Sequence, residues 1–287
     1  MLQVSTARIA ATIVAILLEV ALPIVLAAII RRRLGVGWRY FGYGALIFFL
    51  FQLISRVPAV QVIQALIAPQ LQASRALLLA WVVILAVSAG LFEEIGRYVG
   101  YRWLMRHEEK TWRKAVMYGL GHGGLESMLL VAGLLLLSLI NLLVLPSAIG
   151  TLPPEQRTLA ERQLAALAAL PDWAPLLSVW ERLWGLPVHV ALSVMVLQVF
   201  RRGSVVWLWL AVVAHTLVNL VAIGLVQVLG PNQINTMLVV EVIIAAFGLA
   251  ALWIIWQLRD PPEEVAVAVG RAAPGPPPLA AEERLPE

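Results

Sequence analysis

The chain has 287 residues, 61% of them hydrophobic and 13% charged, with a formal charge of +4 and no cysteine, and its mean hydropathy of +0.87 excludes a soluble domain in favour of an all-α, polytopic membrane helix bundle. The missing cysteines exclude disulfides, thiolate nucleophiles and Cys-ligated zinc, so any metal must be held by histidines and carboxylates. The basic residues lie in short turns between apolar runs, without a contiguous basic domain, which argues against a nucleic-acid partner and for charge that sets membrane topology.

A transmembrane helix needs about 20 mostly apolar residues, and seven stretches qualify: 9–30, 38–55, 76–98, 114–145, 173–199, 204–229 and 234–257. The first is too long for a signal-peptide core and is expected to be retained; its Glu19 is either structural or cavity-lining. Beyond the second, residues 56–72 remain fairly apolar, but Pro58, Pro69 and several glutamines argue for a re-entrant or interfacial segment. The fourth is long enough to tilt or to contain an extramembrane turn. In the loop 146–172, the stretch from Glu155 to Leu170 is either an amphipathic surface helix or irregular. Gly185 and Pro187 are expected to distort the fifth span, and Glu241 to lie at the interface near the outer end of the seventh. From Arg259 the chain turns rich in Pro, Ala and Glu, as expected for a disordered cytoplasmic tail over 259–287. The transmembrane domain is thus 1–258, with a catalytic core in about 76–229.

Lys and Arg set the orientation. Arg31, Arg32, Arg33 and Arg39 follow the first span, Arg102, Arg106, Lys110, Arg113 and Lys114 the third, and Arg201 and Arg202 the fifth. The opposite face holds only Arg8, Arg56, Arg75, Arg157 and Arg162. The N-terminus is expected outside and the C-terminus in the cytoplasm, across an inner (plasma) membrane.

The chemistry lies in ionisable residues at bilayer depth, which are costly unless paired or hydrated. Glu93 and Arg97, His122 and Glu126, and His215 and Asn219 are each four apart, a spacing that puts both members on one helix face. Glu181 and His189 share the fifth span, and Arg182 and His189, seven apart, would share a face if that helix were unbroken. At 1.5 Å per residue, His122 lies roughly 12–15 Å from the cytoplasmic end of its helix, with His189 and His215 at a similar remove. Glu93 and Glu94 are adjacent carboxylates. One, held ionised by Arg97, could accept a proton from water while a histidine stabilises an oxyanion. His122, Glu126, His189 and His215 could instead bind a metal such as zinc. The glycines around His122 (Gly119, Gly121, Gly123, Gly124) allow close approach of another helix backbone, the commoner case in a membrane helix, or of a substrate.

The ordered set Glu93-Glu94-Ile95-Gly96-Arg97, Gly121-His122-Gly123-Gly124-Leu125-Glu126, Glu181-Arg182 with His189, and His215-Thr216-Leu217-Val218-Asn219 resembles the YhfC-like family of bacterial membrane peptidases. That family is in turn similar to the Abi/CAAX-processing intramembrane proteases. The resemblance implies that Glu93 or Glu94 activates water, Arg97 orients the pair, and His122, His215 and Asn219 polarise the scissile carbonyl or hold its oxyanion. Glu126, Glu181 and His189 exceed the CAAX pattern and leave room for a metal, with Glu181 and Arg182 in a supporting role. The expected function is peptide-bond hydrolysis near the cytoplasmic membrane face, with membrane lipid and a peptide or protein substrate as partners. The alternative is a transporter, or a binding or immunity protein on a peptidase-like scaffold.

Overall fold

The computed structural model describes residues 5–230 and 233–260; the expected tail beyond residue 260 lies outside them. The described residues are all-helical. Eight helices can be followed: α1 (Thr6–Leu34), α2 (Trp38–Ala73), α3 (Arg75–Trp103), α4 (Trp112–Thr151), α5 (Pro154–Ala168), α6 (Leu177–Arg202), α7 (Val206–Leu229) and α8 (Ile234–Gln257). All but α5 are long and apolar enough to cross a membrane, which gives the seven expected spans. This is a multi-pass membrane protein.

Two segments differ from expectation. Residues 56–72 do not form a separate segment; α2 continues through them as one helix of 36 residues. A proline ring clashes with the carbonyl of an α-helical turn, and the turn before Pro58 is widened to a π-helix over Phe49–Arg56, where the Val57 N–H reaches the Gln52 carbonyl five residues back. The wider turn carries the chain past the proline. In α6, Gly185 and Pro187 leave the helix unbroken from Leu177 to Arg202. Residues 188–198 are buried on all faces, and this packing holds the helix across the one missing hydrogen bond.

Where two readings were open, α4 crosses without an extramembrane turn, as a helix of 40 residues, and Glu155–Leu170 is largely helical as α5, with Pro154 in its first turn, where its fixed φ suits the helix. Arg8, buried near the start of α1, donates to the carbonyls of Leu167 and Leu170 and pairs with Asp172 at 3.3 Å, tying α1 to the last turn of α5 and the segment after it. At the other end of the bundle, Tyr40 and Arg39 bond Glu108, and Asp260 accepts from the Trp112 N–H at 3.0 Å and from Arg201.

The centre of the bundle is the first half of α4, where every residue from Ala115 to Gly124 is buried. It is wedged between α2 on one side and α6 on the other. Glycine permits this approach: a Cβ on Gly121 would fall on the Phe41 carbonyl, and one on Gly123 would meet the His189 side chain at 2.9 Å. The glycine run is thus the means by which α2 and α6 come close enough for their polar groups to meet those of α4. Gly121→Val should therefore lower the stability of the detergent-solubilised protein by at least the roughly 1–3 kcal/mol typical of overpacking. Gly133→Ala, whose Cβ meets nothing within 4 Å, should leave the melting temperature in place.

Candidate metal and catalytic centre

Glu93, Glu94, Arg97, His122, His189 and His215 are all buried, and they meet at one level where α3, α4, α6 and α7 converge. Neighbouring helix residues point about 100° apart, so Glu93 and Glu94 can both face inward only because α3 is packed on two sides, against α7 and against α2.

The Oε2 of Glu93 is the focal atom. His122 Nε2 lies 2.9 Å from it, His215 Nε2 3.7 Å, and His189 Nδ1 3.9 Å. Glu93, His122 and His189 each offer a ligand atom within 4.8 Å of the others. The other oxygen, Oε1, accepts a hydrogen bond from the Gln52 amide. Glu94 Oε1 accepts from Arg97 Nη1 and lies 2.7 Å from His215 Nδ1, while Oε2 has no hydrogen-bond partner. Arg97 Nη2 lies 2.8 Å from His189 Nδ1 and 3.7 Å from Glu93 Oε2.

Carboxylates stand behind two of the three imidazoles. Glu126 Oε2 is 2.7 Å from His189 Nε2, and its Oε1 is 3.2 Å from Arg182 Nη1. Arg182 in turn bonds Glu181 at 2.8 Å. A carboxylate at one ring nitrogen favours the proton there and leaves the lone pair on the other. The contacts thus favour the proton of His215 at Nδ1 and that of His189 at Nε2, so that His215 Nε2 turns its lone pair toward Glu93 and His189 Nδ1 turns its own toward Arg97 Nη2. His122 has no such partner; its Nδ1 is buried and unbonded, and its ring packs edge-on against Phe48, 5.1 Å between centroids. Imidazole nitrogens and a carboxylate oxygen, with further carboxylates fixing the imidazole tautomers, form a donor set that fits zinc.

The residues picked out by spacing in sequence come together in the structure, but with only some of the expected partners. Glu93 and Arg97 do meet, yet Arg97 is closer to Glu94. His122 and Glu126 do not pair: α4 widens to a π-helix over Glu126–Val131, and Glu126 turns to α6 while His122 turns to α3. Glu181 reaches His189 only through Arg182 and Glu126, whereas Arg182 and His189, seven apart on the unbroken α6, both grip Glu126. Asn219 makes no polar contact with the described residues, although it lies one turn from His215. Glu19 is fully buried and accepts from Ser127 Oγ at 2.5 Å, and Glu241 is buried rather than interfacial.

Gln52 and Arg56 were missed. Gln52 is a lone amide in an apolar run and carries no titratable group, and Arg56 was counted as topology-setting charge. Their one signal is the spacing of four, which puts both on one face.

Comparison with known proteins supplies the family. The model of the YhfC intramembrane metalloprotease family matches residues 18–244. The chain belongs to this family. A YhfC relative, "Uncharacterized membrane protein YhfC" of Bacillus subtilis (strain 168), is 30% identical over 246 residues, covering 83% of this chain and 90% of that protein. No solved structure matches the chain. The YhfC match takes in every residue of the centre, Gln52 included.

Arg97 compensates two buried carboxylates, so Arg97→Met should cost about 3–5 kcal/mol, the penalty for stranding a buried charge. Adding Glu94→Gln to it should recover part of that loss, because it removes one of the stranded charges. A double-mutant cycle on denaturation in detergent reads the coupling directly.

Proposed function

We propose that the protein is a zinc-dependent intramembrane peptidase whose metal would be held by Glu93, His122 and His189, with His215 beside them. The observation that carries this reading is the convergence of three imidazole nitrogens on Glu93 Oε2, with Glu94 and Glu126 behind two of them. The chemistry such an ion supplies is Lewis acidity, which polarises a carbonyl and lets water attack near neutral pH.

The chain's own groups divide the remaining work. Glu94 keeps Oε2 free of partners while Arg97 and His215 hold Oε1, and this geometry suits a general base that takes a proton from the attacking water and passes it to the leaving amine. Arg97, beside both carboxylates, is placed to stabilise the oxyanion that forms at the scissile carbonyl. Asn219 keeps its amide available to hydrogen-bond a substrate backbone. Glu126, backed by Arg182 and Glu181, holds His189 in one tautomer. An apolar groove lined by Val188, Ala191, Ala214, Val218 and Phe247 suits an apolar stretch of peptide.

The basic residues after α1, α3 and α6 favour the cytoplasm for that end of the bundle, which puts the N-terminus outside and scission near the cytoplasmic face. The membrane domain is 1–258, and its catalytic core reaches from about 76–229 back to Gln52.

One contact favours a second reading. Arg97 Nη2, 2.8 Å from His189 Nδ1, takes up the lone pair that a metal would use, as in a glutamate peptidase where Glu93 or Glu94 activates water directly. Metal content by mass spectrometry, together with hydrolysis of a membrane-embedded peptide, separates the two. The zinc reading expects about one zinc per chain in the purified wild type, lost in Glu93→Gln and His122→Ala. Glu94→Gln should keep the zinc and lower turnover by about 10²–10⁴-fold, the usual contribution of a general base. A wild type that cleaves peptide without bound metal and resists chelation would establish the glutamate mechanism instead.

A further inference from the structure

Gln52 is the only buried residue of the π-helical turn Phe49–Arg56, a neutral amide among Phe49, Leu50, Phe51, Leu53 and Ile54. An amide buried without partners is costly, so both ends of this one must be engaged. Its Oε1 accepts from Arg56 Nη1 at 3.2 Å, and its Nε2 donates to Glu93 Oε1. The orientation is forced: a guanidinium only donates, so the carbonyl end of the amide must face Arg56 and the N–H end must face Glu93. Arg56 is itself fixed by two groups of α3, Ser88 Oγ at 3.1 Å and the Leu85 carbonyl at 2.5 Å. These lie five and eight residues before Glu93 on the same helix. The path thus leaves α3, crosses to α2 through Arg56 and Gln52, and returns to α3 at Glu93.

We infer that Gln52, oriented by Arg56, is a positioning residue that sets the rotation of the Glu93 carboxylate, so that a single oxygen, Oε2, is presented to the imidazoles. With Oε1 held by the Gln52 N–H, the carboxylate cannot turn both oxygens to an ion. Its lone pairs at Oε2 stay in line with His122, His189 and His215. This assigns to α2 a part in the centre that the ionisable residues of α3, α4, α6 and α7 do not supply by themselves. The inference rests on the reading of Glu93 as a metal ligand.

The test is zinc affinity, measured on the full-length protein in detergent by competition with a chromophoric chelator, for wild type, Gln52→Met and Arg56→Met, with melting temperature recorded beside it. Gln52→Met keeps the side-chain length and removes the donor; it should weaken zinc binding about 10–100-fold, the usual effect of losing a group that orients a ligand. Arg56→Met leaves the amide in place but free to flip, and should weaken it by a smaller factor in the same direction. Folded variants that both bind zinc as tightly as wild type would overturn the positioning role and leave Gln52 as a tie between α2 and α3. If Gln52→Met does not fold, Arg56→Met decides alone. A wild type with no zinc affinity would overturn the metal reading itself, and this inference with it.

Discussion

The guanidinium of Arg97 is enclosed where no water reaches it, between two carboxylates and an imidazole, and the arrangement of five helices follows from satisfying that group and its neighbours. A charge at this depth is tolerated only in company. Glu93 and Glu94 need a cation, Arg97 needs both of them, and the remaining valences of the two carboxylates draw in His122 from α4, His215 from α7 and Gln52 from α2. His189 of α6 closes the set through Arg97. In an apolar solvent helices gain little from hydrophobic contact with each other, so the register in which α2, α3, α4, α6 and α7 pack is fixed largely by these polar contacts and by the glycines that let the backbones approach.

Among the described residues three helices open into a π-turn, and each does so beside the centre. The π-turns at Phe49–Arg56, Glu126–Val131 and Leu220–Gly224 contain Gln52, begin at Glu126, and follow directly on Asn219. An extra residue in a turn rotates everything beyond it. In α2 this passes a proline; in α4 it aims Glu126 at α6 while His122 faces α3. The wide turns thus let one helix serve two neighbours.

Behind the centre stands a second polar layer, Glu126, Arg182 and Glu181, with Glu19 and Ser127 beside it. Its members are shared among α1, α4 and α6. They meet the centre at His189, whose outer nitrogen lies 2.7 Å from Glu126. A metal site in this YhfC family member would therefore depend on residues two contacts removed from the ion.

Hydropathy over about 20 residues determined the seven spans, because the bilayer imposes one length on every crossing. The identity of the ionisable residues determined which side chains cluster in the interior, because lipid penalises such groups unless they are paired; Glu93, Glu94, Arg97, His122, His189 and His215 were all legible on that ground. Partnership was not. The four-residue spacing suggested His122 with Glu126 and His215 with Asn219, pairs within one helix, whereas the contacts formed are between helices, and a spacing rule describes only the helix it is read from. Gln52 escaped because an amide in an apolar run carries no charge to mark it. The continuity of α6 through Pro187 was equally hidden, since it depends on neighbours that pack the helix from every side. Composition and periodicity are properties of one segment against its solvent, and the tertiary structure alone decided which segments face each other.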